Sequence, residues 1–183
     1  MASNFFKNFF KGLWETIEVV AIAGISVYLI RSYLVQPFLV SGASMYPNFA
    51  DGNYLLVDEL TYRLRDPERG EVIVFKYPED PSLFFIKRII GLPNERIVSS
   101  SGVIKIESNG REIKLDEGYI KNKTNDNFDV LLGENEYFVL GDNRPRSYDS
   151  RSWGAIKRTE IVGLVKIRVL PIKDLTIFQA PKY

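Results

Sequence analysis

The 183-residue chain has no histidine and no cysteine. Without cysteine there is no disulfide, no thiol nucleophile and no cysteine-ligated zinc. Without histidine there is no Ser-His-Asp triad, no Cys-His dyad and no ordinary zinc hydrolase site. Any acyl-transfer chemistry must therefore use Lys, Asp, Glu or Tyr as its base. An excess of one charge is lacking too: 24 Lys+Arg against 23 Asp+Glu leave a net +1, so no nucleic-acid partner is expected. The sequence has no internal repeat, no low-complexity tract, no metal-type carboxylate cluster and no phosphate-binding glycine loop. Neither metal nor cofactor is expected.

Unbroken apolar sequence is scarce as well. Residues 13–35 are mostly apolar, but their strictly uncharged core, residues 19–30, is only 12 long. That is short for a membrane span and fits a signal-peptide core or a buried helix equally. No small-x-small triplet directly follows Ile30, where the chain reads RSYLVQPF, and the nearest, Ser41-Gly42-Ala43, lies well beyond. Removal as a signal peptide is therefore disfavoured. The segment reads as one tilted transmembrane helix, with Trp14 and Glu15 at one interface and Arg31 at the other. Glu18, a turn inside, must snorkel or be protonated. Residues 1–12, MASNFFKNFFKG, set Lys7 and Lys11 between and after two Phe pairs, an aromatic and basic segment suited to the lipid interface. Lys7 and Lys11 before the span, against Arg31 after it, put the N-terminus in the cytoplasm and the rest outside the plasma membrane. Pro37 closes the helical pattern.

From residue 37 the pattern turns to β. NYLLVDEL (53–60), EVIVFKY (71–77), FFIKRIIGL (84–92), NEYFVLG (135–141) and IVGLVKIRVLPI (161–172) are rich in Val, Ile, Phe and Tyr and are punctuated by Gly, Pro, Asp and Asn. In VIKIESNGREIK (103–114), Asn109-Gly110 separates two alternating halves, a strong short-range hairpin signal. No linker divides residues 37–183. The expectation is a mainly β domain of mixed but largely antiparallel strands, behind an N-terminal anchor at 1–36.

The stretch VSGASMYPNF (40–49) carries Ser44. A hydroxyl is inert at neutral pH without a positioned base. Lys87 is the candidate, because it interrupts an apolar strand. Phe85, Lys87 and Ile89 share one face of that strand, and Phe84, Ile86, Arg88 and Ile90 the other, so one of the two cations is pressed toward the core. Arg stays charged, whereas a buried Lys can lose its proton. Taken alone, a strand lysine is far more often a snorkelling surface residue, and Ser44 far more often a turn serine. A third segment, GDNRPRSYDSRSWG (141–154), adds weight through its density of polar side chains just after a strand. Gly141-Asp142-Asn143 reads as a turn, with Asp142 in a supporting role. Ser147 offers a hydroxyl to aim the amine, and Asp149 and Arg151 an ion pair to hold the loop.

With these residues assembled, the chain resembles bacterial type I signal peptidases. Five ordered blocks carry the likeness: SGASMYP (41–47), GNYLLVDEL (52–60), RGEVIVFKYP (69–78), IKRIIGLP (86–93) and GDNRPRSYDSRSWG (141–154). The resemblance implies a fold of two antiparallel β sheets held outside the membrane by the anchor. It implies Ser44 as nucleophile, Lys87 as general base, and Ser147 and Asp149 as supports. Eukaryotic-type relatives use histidine in place of the lysine, so the chain looks bacterial or organellar. It departs from the pattern at Asn48-Phe49, where Thr-Leu is usual, and at Asn94-Glu95, where Gly-Asp is usual. Gly42 stands where some members have a serine that helps the oxyanion hole, so the second donor must come from elsewhere or be absent, and the Ser44 N–H is the remaining candidate.

The implied reaction is removal of signal peptides from exported preproteins. An extended substrate would add beside residues 38–42 and 84–86 and drop small side chains into pockets lined by Val40, Gly42, Met45, Phe49, Phe85 and Ile86. For Phe49 a plain core position is an equal reading. Two alternatives stand beside this one. The first is Ser-Lys chemistry on another target, such as a dedicated propeptide peptidase or a self-cleaving repressor, the latter disfavoured by the anchor. The second is a membrane-tethered β module in which Ser44 and Lys87 never meet.

Overall fold

The computed structural model describes residues 2–33, 35–181 and 183, with side chains described for residues 11–27, 36–181 and 183. Lys7, the two Phe pairs and Arg31 thus lie outside the described side chains. Helix α1 spans Ala2–Tyr33. Its described side chains are exposed, among them Leu13, Trp14, Ile17, Val20, Ile22 and Ile25. Among the described residues no helix is long and apolar enough to cross a membrane. Beyond α1, strand β1 (Val35–Leu39) has already begun, so Pro37 lies inside it. A proline is tolerated there because β1 is an edge strand.

The remaining strands are β2 (Tyr54–Asp58), β3 (Val72–Tyr77), β4 (Asp80–Gly91), β5 (Arg96–Ser100), β6 (Val103–Ser108), β7 (Arg111–Lys114), β8 (Phe128–Leu131), β9 (Glu136–Leu140), β10 (Ile156–Lys157), β11 (Ile161–Leu170) and β12 (Thr176–Ile177). Short helices α2 (Thr61–Leu64) and α3 (Ser150–Trp153) lie between them. They form two sheets. The larger runs β1-β2-β11-β3-β4-β9-β10, with β12 on β11, and the smaller β7-β6-β5-β8. Every described pairing is antiparallel, so the mixed direction expected from the sequence is corrected to a single one. Asn109 and Gly110 both take positive φ, at 50° and 74°, as a two-residue hairpin turn between β6 and β7 requires.

Three apolar clusters hold these sheets. Ile73, Phe75, Ile89 and Val139 centre one, and Met45, Phe49, Leu55, Val57 and Val74 a second. Ile90, Ile97, Ile106 and Phe138 join the small sheet to the ends of β4 and β9. Strand β4 contributes to all three, because alternate residues bury both of its faces. That leaves no solvent side for a cation in its middle.

Candidate active site

Past β1 the chain reverses at Gly42, whose φ of 93° suits glycine and whose N–H donates to Asp51 Oδ1 at 2.7 Å. The turn then carries Ser44, and Met45 behind it enters the core. Asn143 clasps the turn from the opposite loop. Its N–H donates to the Ser44 carbonyl and its Nδ2 to the Ala43 carbonyl, each at 2.9 Å. This approach needs Gly141: a Cβ there would lie 2.5 Å from the Ser44 carbonyl oxygen and 2.2 Å from Ser147 Oγ.

Strand β4 brings Lys87 to the same point. Its Nζ lies 2.9 Å from Ser44 Oγ and donates to the Ile86 carbonyl at 3.0 Å. Lys87 is only 4% exposed. Burial pulls its amine down from 10.5 to about 8, against the opposing effect of the Asp149 and Asp142 carboxylates. Both cations of β4 are buried, rather than one. Arg88 is matched by Asp142, which accepts from its Nε at 2.8 Å and Nη2 at 2.7 Å. Asp142 also accepts from Asn48 Nδ2 at 2.8 Å. The Arg88 guanidinium lies 4.3 Å from the Tyr119 ring centroid. Lys87 has no such carboxylate partner among the described residues, which is what allows it to shed its proton.

In the loop after β9, Asp149 is wholly buried. It accepts from the Gly141 N–H at 3.1 Å and from Arg151 Nε and Nη2 at 2.8 Å each, so the expected ion pair forms. Arg151 also reaches Asp126 and the Arg144 carbonyl. The expected contact of Ser147 with the amine does not form. Ser147 Oγ is buried without a hydrogen-bond partner among the described residues, and the Ile86 carbonyl occupies the role assigned to it.

An open groove of about 340 Å³ runs past this pair. Val40, Gly42, Phe85 and Ile86 line it as expected. Met45 and Phe49 do not. They are 1% and 0% exposed, packed beneath the turn with Phe49 against Phe178, and a side chain sealed there cannot touch a substrate. Phe38, Leu39 and Phe84, within the segments expected beside the substrate, line the groove too, whereas Leu55, Val74, Arg146 and Tyr148 were missed. Gly141, Asn143 and Arg88 were also missed, though all three stand in the quoted blocks beside residues that were chosen. Asn48 and Tyr119 had no local signal.

Chemically, an amine deprived of its proton can take one from the hydroxyl it touches and so make an alkoxide nucleophile. This is the arrangement of a serine hydrolase without histidine. The family described as signal peptidase, peptidase S26, matches residues 13–170. The chain is 35% identical over 173 residues to a probable signal peptidase I-2 of Synechocystis sp., covering 91% of this chain and 76% of that protein. It is 33% identical over 174 residues to a signal peptidase I of Bacillus amyloliquefaciens, covering 88% of each. A crystal structure of a signal peptidase I from Enterococcus faecalis V583 aligns with a TM-score of 0.48 at 32% identity, over 56% of this chain and 98% of that one. The chain belongs to the signal peptidase I family of serine endopeptidases.

Proposed function

We propose that this peptidase removes N-terminal signal peptides from secretory preproteins, with Ser44 as nucleophile and Lys87 as general base. One observation carries the assignment of roles: the 2.9 Å contact between Ser44 Oγ and a buried, carboxylate-free Lys87 amine. As Ser44 Oγ attacks the scissile carbonyl, its proton passes to Nζ. The resulting ammonium protonates the departing amine and leaves an acyl-enzyme. The neutral amine then takes a proton from the water that hydrolyses it. The Ser44 N–H makes no hydrogen bond among the described residues and is the candidate donor to the developing oxyanion.

Two strand edges support the binding mode. β1 pairs only with β2, and β4 has no partner on its second edge before Arg88 among the described residues. The rings of Phe38 on β1 and Phe84 on β4 approach to 5.5 Å, so the two edges flank one groove. An extended segment laid there gains ladder hydrogen bonds on both sides. Val40, Phe85 and Ile86 line the groove there, and the bulk of Phe85 favours small side chains. The domain from residue 37 to 183 then works outside the cell membrane, with α1 as a single-pass anchor in contact with lipid. The exposed apolar side chains of α1 support this, as does its length of 32 residues, about 48 Å at 1.5 Å per residue.

Cleavage of a secretory preprotein by the detergent-solubilised full chain tests the roles. Wild type is expected to cut at the signal-peptide junction. Ser44→Ala and Lys87→Arg are each expected to lose about 10³-fold or more, Lys87→Arg because a guanidinium does not give up its proton. Retained cleavage by Lys87→Arg would reject the base assignment.

A further inference from the structure

Four arginines surround the catalytic loop, and three are tied to carboxylates: Arg88 to Asp142, Arg144 to Glu117, and Arg151 to Asp149 and Asp126. The fourth, Arg146, is exposed, and its side chain makes no ion pair or hydrogen bond among the described residues. It lines the same groove as Ser44 and Lys87, and no Asp or Glu lines that groove. Its backbone is fixed. Pro145 precedes it in a short 3-10 helix, and the Arg146 N–H donates to the Asn143 carbonyl at 2.9 Å. The same Asn143 clasps the Ala43–Ser44 backbone. The guanidinium therefore swings from a rigid base set against the nucleophile turn.

The rest of the wall is apolar. Phe38, Val40, Leu55, Val74, Phe84 and Ile86 line the groove along β1 and β4. That wall suits the apolar residues before the cut, which leaves the polar part of the lining, the loop of Arg146, for the chain after it. We infer that Arg146 is a specificity residue, favouring substrates with Asp or Glu at the first or second position after the scissile bond. The inference rests on the proposed reading of Ser44 and Lys87. A substrate strand covering the groove displaces water from around the guanidinium. The attraction to a carboxylate there exceeds that of an open surface pair, and a lysine at the same position is repelled.

The test uses the full chain in neutral detergent and a set of synthetic signal-junction peptides. Each carries Asp, Asn or Lys at the first or second position after the cut, and kcat/KM is compared among them. Wild type is expected to prefer Asp over Lys by about tenfold at low salt, the size of a partly exposed pair gained against one repelled. The preference is expected to shrink in 0.5 M salt, where the Debye length falls to a few ångström, about 4 Å. Arg146→Gln is expected to bring the ratio within about twofold, and Arg146→Glu to reverse it. An Asp:Lys ratio that is absent in wild type, or unchanged in both variants, overturns the inference while peptide cleavage itself upholds the catalytic reading. If no peptide is cut, or Ser44→Ala cuts as well as wild type, the catalytic reading falls and the inference falls with it. An effect of Arg146→Gln seen only with anionic lipid vesicles, and equal for every peptide, would assign the residue to the membrane surface and overturn the substrate role.

Discussion

Lys87 makes the fold less stable in order to be useful. In the unfolded chain its amine titrates near 10.5, and in the fold near 8, because burial disfavours the ammonium. Below pH 8 both states hold the proton, and the folded state carries the full desolvation penalty. At about 1.36 kcal/mol per unit this is about 3 kcal/mol. Between pH 8 and 10.5 the folded state releases its proton first, so the unfolded state holds more protons and stability rises with pH. Lys87→Met should therefore be more stable than wild type at pH 7, by about 2–3 kcal/mol, with the gap closing toward pH 10. Urea melts at the two pH values measure it, and a Lys87→Met chain less stable at pH 7 would show that the amine is not strained by burial. The same proton sets the rate. kcat/KM should climb with pH through a midpoint near 8 and then level, because only the neutral amine accepts the Ser44 proton. A flat rate from pH 6 to 9 would point to another base.

The element that holds the catalytic loop is the irregular segment between β7 and β8. Glu117 pairs with Arg144, whose Nε also donates to the Gly141 carbonyl at 3.0 Å. Tyr119 lies under the Arg88 guanidinium, and its carbonyl accepts from Asn48 Nδ2 at 3.0 Å. Thr124 and Asp126 receive Arg151. One stretch thus reaches all three paired arginines around the site. Both partners of the Glu117–Arg144 pair are buried, so Glu117→Ala leaves a guanidinium without its countercharge and should cost about 3–5 kcal/mol. Adding Arg144→Met should recover most of that loss in thermal melts, and a double variant no better than Glu117→Ala would mean the pair is not what the segment contributes. None of this was legible in the sequence. LDEGYIKNKTNDN has no period, and Glu117 and Arg144 are 27 positions apart. What was legible had either a period or a chemical contradiction. Runs of Val, Ile, Phe and Tyr gave five of the strands and the alternating halves around Asn109-Gly110 two more, β6 and β7, whereas β1, β5, β8, β10 and β12 were not read. Lys87 was found because a cation in an apolar strand conflicts with its surroundings. Met45 was misread, and Phe49 left open between core and groove, because a turn has no fixed inner face, so an apolar residue beside a nucleophile can equally point down into the core or out into the groove.

For the whole molecule, the question is what covers α1. Its described side chains are exposed throughout, and the large apolar ones, Ile17, Val19, Val20, Ile22, Ile25 and Val27, are not confined to one narrow stripe. Apolar side chains exposed on several sides of a helix favour a lipid or protein cover over open water, which is the ground for the proposed anchor. The chain passes from α1 into β1 and reaches Ser44 nine residues beyond Val35, so on the proposed reading of α1 as an anchor the helix tethers the groove near the bilayer surface where exported precursors emerge. Tethering raises the effective concentration of enzyme and substrate without any new contact. A charge in the helix centre costs insertion about 2.5–3.5 kcal/mol, so Ile22→Asp with Ile25→Asp should be enough to release the chain. The variant is expected in the soluble fraction after alkaline extraction. It should cut a soluble junction peptide at the wild-type rate in detergent, because neither residue touches the groove. Processing of a membrane-bound preprotein should fall by at least tenfold, on the order of the lost effective concentration. If the double variant stays in the membrane and processes the preprotein normally, another surface supplies the attachment. In that case the exposed apolar residues Leu39, Phe84 and Tyr148 that line the groove become the place to look.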